Sequence, residues 1–166
     1  MKIVVLAAGT STEREVSIVS GTEVCKALRS RGHQAILVDV FFGKEGADPA
    51  TAFDGDYDVD VEAAYISSFN AQVKDAVASG REFFGPGVIE LCKAADVVFM
   101  ALHGANGEDG RVQAYFDLCG IPYTGTGYLS SALAMDKGLS KDLLEAAGVP
   151  APRGIQLVRG AEYAEE

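Results

Sequence analysis

No run of about 18 uncharged apolar residues, the length a helix needs to cross a bilayer, occurs in this sequence. A membrane span is therefore not expected. The opening Lys2 and the short apolar run IVVLAAG are followed at once by an acidic cluster, which argues against a targeting signal. Cysteine is scarce: Cys25, Cys92 and Cys119 lie far apart with no C-x-x-C spacing. That pattern predicts buried thiols in a reducing compartment, with Cys25 and Cys119 packed inside helices. The two histidines, His33 and His103, have no ligand spacing relation, so a metal site within the chain is not expected. Positive charge is also short. The formal net charge is -10, the lysines and arginines are scattered, and a nucleic-acid partner is disfavoured. Neither a G-x-G-x-x-G fingerprint nor a P-loop ending in G-K-[ST] is present.

What is present fits one sizeable core: 166 residues, 48% of them apolar. Lys2–Ala8 reads as a strand buried on both faces of a parallel sheet. A helix is expected from about Glu15 to Arg31, with Ile18, Gly21, Cys25 and Leu28 as its inner face and Gly32 as its stop. Gln34–Val40 reads as the second strand, completing a βαβ opening. Phe41–Pro86 is acidic and glycine-containing, too long for a routine loop, and is expected to carry small elements, including a short helix around Val73, Ala76 and Val77. Beyond it, GVIELCKAA predicts a short helix and DVVFMALHG a buried strand. GRVQAYFDLCG predicts a helix with Val112, Tyr115, Phe116 and Cys119 on one side, and IPYTG a short strand. YLSSALAMDKGLSKDLLEAAG reads as one helix or two abutting ones, and PRGIQLV as the start of a further strand after Pro150 and Pro152. Strands alternating with helices mean an α/β, doubly wound, mainly parallel sheet flanked by helices.

In such sheets ligands gather beyond the carboxyl ends of the strands. Three motifs fall there: GTSTEREVS after the first strand, HGANGEDG after DVVFMAL, and TGTGYLSSALAMDK after IPYT. In the first, Glu13 and Glu15 suit the positive end of a helix, and Ser11 or Thr12 could serve as N-cap. Alternatively Glu13 points outward to hold an ammonium group, with Gly9 allowing close backbone approach. In the second, His103 closes an apolar strand, either satisfied locally above an acidic turn or set to stabilise an anion. In the third, Lys137 lies on a solvated helix face or contacts a phosphate as a point charge.

Taken together, GTSTEREVSIVSG, ALHGANGEDGRVQAYFDLCGIPYTGTG and SALAMDK resemble the N-terminal half of the D-alanine–D-alanine ligase family. The likeness covers nearly the whole chain and is weakest over Phe41–Pro86. It implies a Rossmann-like pre-ATP-grasp domain over 1–125, then linker helices and the start of an ATP-grasp region over 126–166. The family uses ATP and Mg2+ to phosphorylate one D-alanine and joins it to a second, making a dipeptide for peptidoglycan in the cytoplasm. By resemblance Glu13 binds the first ammonium, Val16 lines the methyl pocket, and His103 lies by the substrate carboxylate. Glu13 and His103 are thus the candidate catalytic pair. Lys137 reaches ATP phosphates from the family's second domain, and Glu108 orders the His103 loop. Arg14 and Glu15 brace the turn. Where the family often has Gly-Gly this chain has Ala8-Gly9, which implies a slightly tighter turn.

The chain stops where the family's ATP-grasp part begins, so no turnover and no tight cofactor binding are expected of these residues alone. A homodimer through this region follows by resemblance. A free-standing binding or dimerisation module of the same fold, and part of a D-alanine–D-lactate ligase, are the alternatives. The helices after Gly127 are expected to expose Leu129, Leu133, Leu143 and Leu144, favouring self-association.

Overall fold

The computed structural model describes residues 1–155, 157 and 160. Strand β1 (Lys2–Ala7) is central, with β2 (Gln34–Asp39) and β3 (Val97–Met100) parallel on either side, in the order β2-β1-β3. The register runs from Lys2 opposite Gln34 to Ala7 opposite Asp39, and from Ile3 opposite Val97 to Leu6 opposite Met100. All three strands therefore end along one edge. Because the chain returns to the two sides of β1 in turn, a switch point opens beyond the ends of β1 and β3.

Alternate residues of β1 face opposite layers, as the two-residue period of a strand requires. Val4 and Leu6 join Ile36, Val38, Leu91, Val112 and Phe116 in one core. Ile3, Val5 and Ala7 join Ile18, Cys25, Leu37 and Ile66 in the other. Helices α1 (Arg14–Ser30) and α2 (Val59–Ser67) cover the second face, while α4 (Val88–Ala94) and α5 (Arg111–Cys119) cover the first. The doubly wound reading is thus correct. Gly21 lets α1 lie close on the sheet: a Cβ there would meet the Ala7 methyl at 2.9 Å and Leu37 at 3.1 Å.

Phe41–Pro86 does carry its own elements, α2, a 3-10 turn at Asn70–Gln72, and α3 (Val73–Ala78). The pattern around Val73 marks α3. Helix α2 escapes sequence reading because only Val59 and Ile66 of its nine residues are buried, too few to set a period. Its start is nonetheless encoded, since the Asp58 carboxylate accepts from the amides of Asp60 and Val61. The segment also closes the sheet edge. The Tyr57 hydroxyl accepts from the Leu37 amide at 2.9 Å and donates to the Leu37 carbonyl at 3.1 Å.

Several expectations are corrected. IPYTG is not a strand; it forms a single bridge, Val98 to Tyr123. YLSSALAMDKGLSKDLLEAAG is two helices, α6 (Tyr128–Met135) and α7 (Lys137–Ala146), broken where Asp136 leaves helical geometry and its carboxylate caps the Leu139 amide. Pro152–Ile155 is not in a strand, and part of PRGIQLV lies outside the described residues. Tyr115 is 39% exposed, while Val112 and Phe116 are buried. Leu129, Leu143 and Leu144 are exposed as expected, whereas Leu133 is half-buried.

The strand ends are tied by a buried guanidinium. Arg14, 5% exposed, ion-pairs with Asp39, 1% exposed. It also donates to the carbonyls of Gly9 and Ile66 and to the Asn70 side chain. The other Asp39 oxygen accepts from the amides of Phe41 and Phe42. Removing one member of such a pair leaves a buried charge without a partner. Asp39→Ala is expected to destabilise the fold by about 3–5 kcal/mol, read as a lower urea midpoint; a midpoint within the scatter of the wild type would contradict the assignment.

Cys25 and Cys92 are fully buried, and Cys119 is half-exposed. Loss of solvation pushes the Cys25 thiol up to about 11, partly offset by Arg29. Burial pushes Cys92 up to about 12, with Glu90 adding to it. An unfolded chain ionises these thiols at lower pH than the folded chain, so above pH about 9 the unfolded state binds fewer protons. Stability should therefore fall as pH rises from 9 towards 11, by at most about 1.4 kcal/mol per pH unit for each thiol. Urea midpoints at a series of alkaline pH values check this; a flat or rising series contradicts it.

Candidate functional site

The site begins where β1 ends. Ala8 (φ 68°) and Gly9 (φ 83°) are both left-handed, which turns the chain sharply into the loop before α1. A left-handed Ala is costly, and the position suits the Gly that the family often places there. The helix then starts one residue earlier than expected. Its N-cap is Glu13 rather than Ser11 or Thr12, and the Glu13 side chain makes no capping bond. The N-cap expected at Ser11 or Thr12 is thus corrected, while an acidic residue does occupy the first turn at Glu15, and the exposed Glu13 stands at the positive end of α1. Arg14 braces the turn as expected. Glu15 is exposed in the first helical turn.

The loop after β3 comes to meet this turn. His103 lies three residues beyond β3, half-buried. Its carbonyl accepts from the Ser11 hydroxyl at 2.8 Å, while Ser11 Oγ also accepts from the Glu13 amide at 3.2 Å. One hydroxyl thus links Glu13 to the His103 loop. Gly104 packs beneath: its left-handed backbone (φ +69°) favours glycine, and a Cβ there would meet Glu13 Oε2 at 2.7 Å and Ser11 Cβ at 3.2 Å, displacing the carboxylate. The Glu13 carboxylate consequently lies over the loop that carries His103.

Two more serines of α1 complete the seam. Buried Ser17 accepts from the Ala8 amide at 2.8 Å and donates to the Ala101 carbonyl at 2.7 Å, joining the ends of β1 and β3. Ser20 lies 3.0 Å from His103 Nε2. On the far side of the ring, Glu108 Oε1 is 3.8 Å from Nδ1, while its Oε2 accepts from the Gly104 amide at 2.8 Å. Glu108 therefore orders the loop, as the resemblance implied. Gln113 on α5 holds the same loop by donating to the Gly107 carbonyl at 2.7 Å.

The structure thus brings the turn of Glu13 against the loop of His103, the two residues singled out from the sequence, and adds Ser17 and Ser20, which the sequence analysis did not name. The available signal was spacing: Ser17 and Ser20 follow Glu13 by four and then three residues, the interval that places side chains on one face of a helix. Val16, on the same helix, is 59% exposed. Lys137 stands apart. It opens α7 and lines an open hollow with Lys141, Asp142, Glu145, Gly154 and Ile155. No hydrogen bond or ion pair among the described residues joins it to Glu13 or His103. The third motif does touch the second, since Gly110 at the head of α5 packs against the Tyr128 backbone at the head of α6.

Chemically, the arrangement offers a carboxylate for a cation and, on the loop beneath it, an imidazole for an anion. Among the described residues no cluster of three His, Cys, Asp or Glu could hold a metal ion. No helix there is long and apolar enough to cross a membrane.

Comparison with known proteins bears on the family and the fold. A family profile described as D-ala D-ala ligase N-terminus matches residues 2–126. The chain is 45% identical over 149 residues to a D-alanine–D-alanine ligase of Lacticaseibacillus casei, covering 87% of this chain and 42% of that protein. It is 39% identical over 165 residues to a D-alanine–D-alanine ligase of Gluconobacter oxydans, covering 99% of this chain and 41% of the relative. Among solved structures, the D-alanine–D-alanine ligase of Bacillus anthracis complexed with ATP superposes with a TM-score of 0.64 at 27% identity, over 99% of this chain and 42% of its own. The chain spans about two fifths of the length of the curated relatives it matches. The matched family profile, the level of identity and the shared fold lead to one conclusion: this chain belongs to the D-alanine–D-alanine ligase family, through that family's N-terminal region.

Proposed function

We propose that this chain is the part of a D-alanine–D-alanine ligase that binds the first D-alanine. The observation that supports this most is the Ser11 link, which holds an outward carboxylate, Glu13, against the His103 loop at the strand-end edge. An α-amino acid carries a cation and an anion on one carbon. Glu13 would take its ammonium, His103 would stand by its carboxylate, and the exposed Val16 would meet its methyl group.

When bound, ATP supplies the phosphoryl group that activates the substrate carboxylate as an acyl phosphate, and the amine of a second D-alanine then displaces phosphate. The residues present fit only a small share of that requirement. Lys137 and Lys141 could offer point charges to phosphate, but Asp142 and Glu145 share their hollow. Among the described residues no group of three or more His, Cys, Asp or Glu that could hold a metal ion accompanies them, and the hollow is open. Phosphoryl transfer depends on positioning and on metal-borne charge. The roles left to this chain are therefore to bind and orient the first substrate, with residues 1–125 as the binding domain and 126–166 leading to the nucleotide domain. The proposal includes a cytoplasmic homodimer serving peptidoglycan synthesis, and no dipeptide formation by these 166 residues alone.

Titration of D-alanine into the labelled chain, followed by amide shifts, tests the binding role. Glu13→Gln is expected to weaken binding about tenfold, the worth of one charge-assisted hydrogen bond, with the folded spectrum retained. Unchanged affinity would sink the role of Glu13. Steady dipeptide formation by the wild-type chain with ATP and Mg2+ would overturn the division of labour.

A further inference from the structure

His103 has two ring nitrogens, and the surroundings of Ser20 decide which of them carries the proton. Ser20 Oγ lies 2.9 Å from the Val16 carbonyl oxygen and 3.3 Å from that of Ser17, one helical turn back. Carbonyl oxygens only accept, so the single hydroxyl proton is directed to them. The third neighbour, His103 Nε2 at 3.0 Å, must then be the donor. Nδ1 keeps its lone pair, facing Glu108 at 3.8 Å.

We infer that Ser20 is a positioning residue for His103: it holds the neutral ring as the Nε2–H tautomer, so that a proton making the ring cationic arrives at Nδ1. The charged group facing the ring is Glu108 from its own loop, and the Glu13 carboxylate from the start of α1 lies over the adjoining Gly104. Arg111, at the head of α5, is turned to Asp109 and Asn106. An imidazolium fixed in this way presents its charge beside the Glu108 carboxylate, which would otherwise repel a substrate carboxylate. This last consequence rests on the D-alanine reading; the tautomer does not.

The Ser20, His103 and Glu108 side chains superficially resemble a nucleophile, base and acid. They do not work as one. The Ser20 proton is directed into its own helix, and the Nδ1 to Glu108 separation is beyond hydrogen-bond length.

The test is a long-range proton–nitrogen spectrum of the imidazoles in the labelled 166-residue chain, above the pH at which the rings ionise and without added ligand. His33, half-buried at the head of β2, serves as the internal control. The expected result is a His103 ring protonated at Nε2 only. Ser20→Ala should shift the His103 nitrogens towards a mixture of tautomers while His33 is unmoved, and Ser20→Thr, which keeps the hydroxyl, should restore the wild-type pattern. A His103 protonated at Nδ1, or a pattern indifferent to Ser20→Ala, overturns the inference. If Ser20→Ala fails to fold, the wild-type tautomer decides alone. D-alanine is added only afterwards: weaker binding by Ser20→Ala supports the link to function, whereas a confirmed tautomer with no D-alanine binding by the wild type would refute the substrate reading and leave the Ser20 assignment standing.

Discussion

Burying a guanidinium costs several kcal/mol unless its hydrogen bonds are met and its charge is balanced, and the layout of this protein follows from how that is done for Arg14. Its partners come from four places: the turn after β1, the end of β2, the end of α2 and the 3-10 turn after it. Apart from the neighbouring turn at Gly9, these partners lie 25 to 56 residues from Arg14 along the chain. The ion pair with Asp39 therefore does what a longer sheet would do elsewhere: it fixes where two strands end and where α1 begins. With Arg14 turned inward, the rotation of α1 is set, and its neighbours Glu13 and Glu15 are carried to the outside. This is the physical reason for a guanidinium between two carboxylates in the first turn of a helix.

The three serines act on the other side of the same turn. Ser11, Ser17 and Ser20 each reach a group in the segment Ala101–His103, so α1 and the turn before it are stitched to the chain at the end of β3 at three points. Short hydroxyls suit this role because they satisfy backbone carbonyls that no neighbouring strand can reach. The result is a rigid seam with one carboxylate and one imidazole above it. Preorganisation of this kind lets a small polar ligand bind without first ordering a loop.

Much of this was legible from the residues. The continuous apolar run Ile3–Ala7 and the buried Ala35–Asp39 implied a parallel sheet covered on both faces, and the three- and four-residue steps of Ile18, Gly21 and Cys25 gave the inner face of α1. The candidate site residues came from long motifs, not from periodicity. What escaped was what depends on tertiary contacts. Helix α2 buries only Val59 and Ile66, so its pattern carries almost no period. IPYTG has strand composition, yet one bridge is all that β3 offers it. The N-cap was misplaced by one or two residues: Ser11 donates to the His103 carbonyl and accepts from the Glu13 amide in the turn before the helix, and Glu13 itself holds the N-cap position. Asp39 reads from sequence as the polar end of a strand, and nothing local shows that its partner is Arg14.

The central claim is that the seam presents an ammonium site at Glu13. Parallel titrations of the wild-type chain with D-alanine and with D-lactate, followed at the amides of Glu13 and Gly104, test it most directly. The two ligands share the carboxylate and the methyl group and differ in the ammonium. The account predicts saturable shifts at both amides with D-alanine and little response to D-lactate at the same concentrations. Equal responses to the two, or shifts confined to other parts of the chain, would contradict it.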